Sequence, residues 1–147
     1  MEYRAVEQLA RVAKVNPEAQ PLPVMSRIER LQRWAELLER DPGRRLNTFL
    51  ETEYQRPEAR DAMRPGDTPI SVAFADPVLR AQGLADDSYG EAKRLFDVSD
   101  RQLHNILCYC HYGAVVSAGT AARAIRGVVA ALSRPGIVER ARQIFAT

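Results

Sequence analysis

Apolar residues recur with a helical period along most of the chain, and glycine or proline separates each periodic segment from the next. A period of about 3.6 residues is typical of amphipathic helices that bury one face. The strongest pattern covers residues 26–40, where Ser26 and Glu29 form the sequence signature of a capping box. Another covers the alanine-rich residues 118–132. We therefore predict an all-α protein, a compact bundle of roughly six to eight short helices.

Shorter helices are predicted to begin at three capping residues, Asp76, Ser88 and Ser99. We expect the helix after Ser99 to run to residue 112, because Gly113 suits a helix C-terminus. Residues 46–55 predict a weaker helix. Residues 70–74 are strand-like, but a lone strand leaves its backbone groups unpaired, so we predict an extended connector there.

The first 24 residues have a pattern of their own. Residues 3–15 show apolar helical spacing, and three prolines follow between residues 16 and 24. Proline lacks a backbone donor, which predicts an extended linker here. We therefore divide the chain into an N-terminal helical arm with a proline-rich linker, residues 1–24, and a single all-α domain, residues 25–147. Arm exchange or helix pairing between two copies would give a homodimer.

Charge and composition exclude some classes of function. The chain has 21 basic and 19 acidic residues, and this near balance disfavours a protein that coats nucleic acid or an anionic membrane through bulk charge. No apolar run is long enough for a transmembrane helix, and the first residues carry too many charges for a secretory signal. Two cysteines one residue apart are unsuited to a mutual disulfide, which favours a reduced, cytoplasmic protein.

Residues 102–122 contain no Asp, Glu, Lys or Arg, yet they hold both cysteines and both histidines of the chain. On a continuous helix, His104, Cys108 and His111 share one face, since they are spaced by four and three residues. Two imidazoles and a thiolate suit a borderline-soft metal such as zinc, or a haem iron. The alternative is structural, with both histidines hydrogen-bonded to backbone or tyrosine groups and Cys108 packed as a small apolar residue.

The run AKRLFDVSDRQLHNIL at residues 92–107 resembles the helix-turn-helix of bacterial DNA-binding domains. The resemblance implies four inward-facing residues, Leu95, Val98, Leu103 and Leu107. It also implies three residues that face the DNA groove, Arg101, Gln102 and Asn105. The sequence departs from the pattern in having Lys93 at a position that favours a small residue, Asp97 where the turn favours glycine, and the acidic Asp100 in the recognition helix.

The leading interpretation is a non-enzymatic regulatory or protein-interaction module. The helix at residues 99–112 is uncharged over most of its length, which is typical of a helix that is buried or covered by a partner. Its far side would present Asn105, Tyr109 and Tyr112 to a protein partner or a second copy. No catalytic residues are predicted, because no nucleophile, phosphate loop or paired-carboxylate motif occurs. The alternatives are a metal or haem sensor and a DNA-binding regulator.

Overall fold

The structure is a computed structural model that describes residues 23–108 and 113–134. The α-helices within these residues are α1 (Arg27–Glu39), α2 (Pro57–Asp61), α3 (Pro69–Phe74), α4 (Pro77–Ala81), α5 (Tyr89–Phe96), α6 (Asp100–Leu107) and α7 (Ala118–Ser133). The strands are β1 (Arg45–Asn47) and β2 (Val115–Ser117), and a 3-10 helix covers Thr52–Tyr54. This architecture confirms the predicted helical bundle, to which the structure adds a small two-stranded sheet.

The long helices α1 and α7 pack against each other at the centre of the molecule. Trp34 of α1 is fully buried, stacks on Phe96 of α5 with ring centroids 4.3 Å apart, and donates its indole N–H to the carbonyl of Pro69. The α7 helix contributes small and branched residues, among them Ile125, to the same core. Burying one large side chain contributes about 1.5–3 kcal/mol, so the core that α1 shares with α5 and α7 anchors the fold.

The two strands correct the helix predicted over residues 46–55. Arg45 pairs with Ser117 and Asn47 with Val115 in an antiparallel ladder, and only the short 3-10 helix follows. Leu46 faces the core while its two neighbours are exposed, which is the alternation of a strand. The backbone groups of β1 are hydrogen-bonded to β2, some 70 residues away along the chain. This pairing outweighs the weak local preference for a helix.

The connector predicted at residues 70–74 is also wrong, because these residues form α3. Thr68 caps this helix, its hydroxyl accepting from the Ser71 N–H while the Ser71 hydroxyl accepts from the Thr68 N–H. Pro69 at the first helical position supplies a suitable backbone angle. The capping pair therefore starts a helix just before residue 70, and this determines the conformation of residues 70–74.

The predicted helix caps are otherwise largely confirmed. Ser26 and Ser99 each form a reciprocal capping box, and Asp76 caps α4 by accepting from the Leu79 N–H. At Ser88 only half of the box forms, because the carboxylate of Glu91 binds elsewhere. The arm predicted at residues 1–24 lies almost wholly outside the described residues, as does the final helix that the sequence predicts over residues 137–145.

No helix in the described part of the chain has both the length and the hydropathy that a membrane-spanning segment requires.

Candidate functional site

Helices α5 and α6 are joined by a three-residue turn and form the segment that resembles a helix-turn-helix. The turn begins at Asp97, whose φ of 52° lies in the left-handed region, and its amide donates to the carbonyl of Lys93. Ser99 then caps α6. All four residues predicted to face inward, Leu95, Val98, Leu103 and Leu107, are buried. The packing of this segment thus follows the sequence pattern.

The three residues predicted to face a DNA groove differ in their surroundings. Arg101 and Asn105 are exposed on α6. Gln102 is half-buried, and its side-chain oxygen accepts from the Ser99 N–H at 2.9 Å. The amide of Gln102 therefore supports the helix cap, and Arg101 and Asn105 form the accessible polar surface of α6.

Asp100, the first residue of α6, is surrounded by donors from three other positions. One carboxylate oxygen accepts from the Tyr89 hydroxyl at 3.0 Å and lies 3.1 Å from the Lys93 ammonium. The other lies 3.4 Å from the guanidinium of Arg60. Partial burial opposes ionisation, but the hydrogen bonds from Lys93 and Tyr89 and the charge of Arg60 hold the pKa of Asp100 below its usual value. The carboxylate is charged, and nearby cations compensate that charge.

Tyr89 and Arg60 belong to this cluster although sequence reasoning did not single them out. Tyr89 is fully buried, and its burial together with the neighbouring Asp100 carboxylate raises its pKa. The Arg60 guanidinium lies 5.4 Å from the centroid of the Tyr89 ring. Helix α2 can approach this closely because Gly90 has no side chain, and a Cβ there would lie 2.8 Å from the Cβ of Asp61. The glycine at position 90 was the available sequence signal.

The proposed metal ligands lie at the other end of α6, and here the structure corrects the predicted helix. Helix α6 ends at Leu107, and Cys108 is extended, with φ −102° and ψ 147°. The Phe49 N–H donates to the carbonyl of Leu107, and Phe49 and Cys108 form a parallel bridge. This pairing competes with continuation of the helix at Cys108, so helical spacing does not describe this residue.

His104 and Cys108 nevertheless meet at one hydroxyl group. The Thr52 oxygen lies 3.2 Å from Nε2 of His104, and the Thr52 hydroxyl donates to the Cys108 sulfur at 3.3 Å. Cys108 and Thr52 are fully buried. His111 lies outside the described residues, and within them no group of three or more His, Cys, Asp or Glu side chains could hold a metal ion. The three-ligand site stays a prediction.

The predicted protein-interaction surface is described only in part. Asn105 is exposed, whereas Tyr109 and Tyr112 lie outside the described residues. The helix predicted over residues 46–55 would have turned Leu50 and Tyr54 inward, but the structure exposes both side chains, Leu50 just before the 3-10 helix and Tyr54 at its end. The interaction module therefore stays a prediction, and α6 presents polar groups at its exposed positions.

No model of a known protein family, no curated protein and no solved structure matches this chain.

Proposed function

We propose that the chain is a helix-turn-helix DNA-binding protein in which α6 enters the major groove. The observation that carries this proposal is the α5–turn–α6 unit, because each departure of its sequence from the pattern has a local structural compensation. Asp97 adopts the left-handed conformation that glycine would otherwise supply. Asp100 and Lys93 bind each other.

The end of α6 also supports the proposal. A helix with its side chains is about 10–12 Å across and fits the major groove, which is about 12 Å wide. The residues CYCHYG, which lack the basic character expected of a recognition helix, begin only after α6 has ended. They are therefore no objection to α6 as a recognition helix.

The exposed side chains of α6 have the chemistry of base recognition. An arginine can donate two hydrogen bonds to guanine, and an asparagine can pair with the edge of adenine. Arg101 and Asn105 would serve these roles, since both are exposed and one helical turn apart. The compensated charge of Asp100 reduces the repulsion that an acidic group at the start of α6 would otherwise exert on phosphate.

Fluorescence anisotropy with a labelled random-sequence duplex at low salt tests the proposal. We expect binding that weakens as salt rises and that Arg101→Ala reduces severalfold, because a cation on the DNA-facing helix is lost. Arg123→Ala is the matched control, as Arg123 is an exposed arginine of α7 that contacts only its neighbour Thr120 among the described hydrogen bonds. Absence of binding at low salt, or equal losses in both variants, would exclude the proposal.

A second candidate is a metal sensor, and it is favoured by one observation, the meeting of His104 and Cys108 at Thr52. An imidazole and a thiolate are common zinc ligands, and His111 would be the third. The test is the metal content of the purified protein after growth with added zinc. About one zinc per chain that is lost in His104→Ala would support the sensor. Zinc-free protein from the same growth would exclude the metal sensor.

A further inference from the structure

An apolar groove lies between the segment before α1 and helix α4. It has a volume of 320 Å³ and is lined by Pro23, Met25, Pro77, Val78, Ala81 and Gln82. At its edge, Val24 is 82% exposed and Val78 is 40% exposed. Two exposed branched apolar residues next to an apolar groove favour burial by another segment.

The side chain of Gln82 holds residues 23–25 at the rim of this groove. The Gln82 amide oxygen accepts from the Met25 N–H at 2.8 Å, and its NH₂ group donates to the Pro23 carbonyl at 3.0 Å. These two bonds fix the backbone of residues 23–25 against α4. Residues 1–22 therefore join the described part of the molecule at the groove itself.

We propose that this groove binds residues 3–15 of the same chain. The sequence predicts a helix there with one apolar face formed by Val6, Leu9, Ala10 and Ala13. The seven residues between this segment and Pro23 span at most about 25 Å when extended, so the segment stays within reach of the groove. A tether this short gives an effective concentration in the millimolar range, which lets a small apolar contact suffice.

Charge also favours this occupant. Residues 3–15 contain three basic residues and one acidic residue. An adjoining part of the groove, of 400 Å³, is bordered by Glu29 and Glu36 of α1. Arg33 lies on the same border, but both its Nε and an Nη bind the carboxylate of Asp76. The border therefore presents an excess of negative charge to a basic segment.

Limited trypsin digestion of the full chain, followed by mass spectrometry, tests the proposal. Bound residues 3–15 would protect the bonds after Arg11 and Lys14. We expect Val78→Glu to speed cleavage at both bonds about tenfold, because cleavage proceeds through the undocked state. Leu50→Glu is the matched control, since Leu50 is equally apolar and 49% exposed but lies beside the 3-10 helix. It should leave cleavage at both bonds unchanged.

A second variant separates undocking from misfolding. Leu9→Glu alters only the proposed ligand, so it should speed cleavage as Val78→Glu does while the circular dichroism and the melting temperature of the domain stay close to those of the wild type. The proposal is overturned if Arg11 is cleaved as fast in the wild type as in a peptide of residues 1–22. It is also overturned if protection disappears over a roughly hundredfold dilution, because the occupant would then be a second copy.

Discussion

Two aspartates lie at helix N-termini, Asp76 at that of α4 and Asp100 at that of α6, and their surroundings differ. Asp76 is the N-cap of α4, and its side chain is 4% exposed while both oxygens receive bonds from Arg33 at 3.0 and 2.8 Å. Asp100 is the first residue of α6, and its side chain is 41% exposed beside Lys93 and Arg60. The Asp76 carboxylate is buried beside a partly exposed Arg33, whereas the Asp100 carboxylate lies at the surface.

Because the two carboxylates differ in burial, we expect them to contribute to different properties of the protein. A buried carboxylate that binds one arginine with good geometry joins α1 to α4, and removing it leaves Arg33 without its partner. A half-exposed carboxylate is screened by water, so its ion pairs contribute little to folding. We infer that Asp76 acts on the stability of the domain and that Asp100 acts mainly on the electrostatics of α6.

The largest expected effect comes from Asp76→Ala. This change removes the helix cap and the bonds to Arg33, and we expect it to lower the free energy of unfolding by about 3 kcal/mol. Urea denaturation followed by circular dichroism measures the loss. Asp100→Ala is the control and should cost less than about 1 kcal/mol. Equal losses in the two variants would contradict the comparison.

The pH dependence of stability gives the next test. The hydrogen bonds from Arg33 lower the pKa of Asp76 in the folded protein. A lowered pKa contributes stability that is fully present above the unfolded value, near pH 4, and that is lost as pH falls through the folded value. The wild type should therefore exceed Asp76→Asn in free energy of unfolding by a constant amount near neutral pH. This difference should shrink below about pH 4. A gap that persists undiminished at pH 2 to 3 would contradict this assignment.

A smaller effect is expected when Asp100 loses its charge. In Asp100→Asn, Lys93 and Arg60 keep their places but no longer face a carboxylate, so both become available to phosphate. We expect binding to a random duplex to strengthen severalfold and the salt dependence to steepen by about one unit in a plot of log K against log salt. Glu58→Gln, an exposed acidic residue of α2, is a control for general charge. Weaker binding in Asp100→Asn would count against α6 as the DNA-facing helix.

The smallest expected effect concerns the turn between α5 and α6. Asp97 is strained by its left-handed backbone, and its side chain lies 3.8 Å from Arg27 at an exposed position. We expect Asp97→Gly to stabilise the domain by about 0.5 kcal/mol, because relief of strain exceeds the added entropy of the unfolded chain. Asp97→Ala should destabilise instead, and thermal melts of both variants show the sign. A gain with alanine would mean that the turn carries no such strain.

Sequence reasoning predicted the parts of the candidate site that depend on neighbours in the chain. The capping box of Ser99 follows from spacing over a few residues, and the burial of Leu95, Val98 and Leu103 is what the resemblance to a helix-turn-helix implies. The partners of Asp100 were not predicted in full, because Arg60 comes from α2 and no periodicity in the sequence links the two. Thr52 was missed beside His104 for the same reason.

The sequence by itself determined the helical class, the starts of most helices and the cap that begins α6, because caps and apolar periodicity act within one or two turns. Only the tertiary structure decided that β1 pairs with β2 and that α6 ends at Leu107. Both outcomes arise from backbone hydrogen bonds between segments more than 50 residues apart, where a distant strand or bridge competes with a local helix. Local signals specify where a helix can form, and long-range pairing selects where it stops.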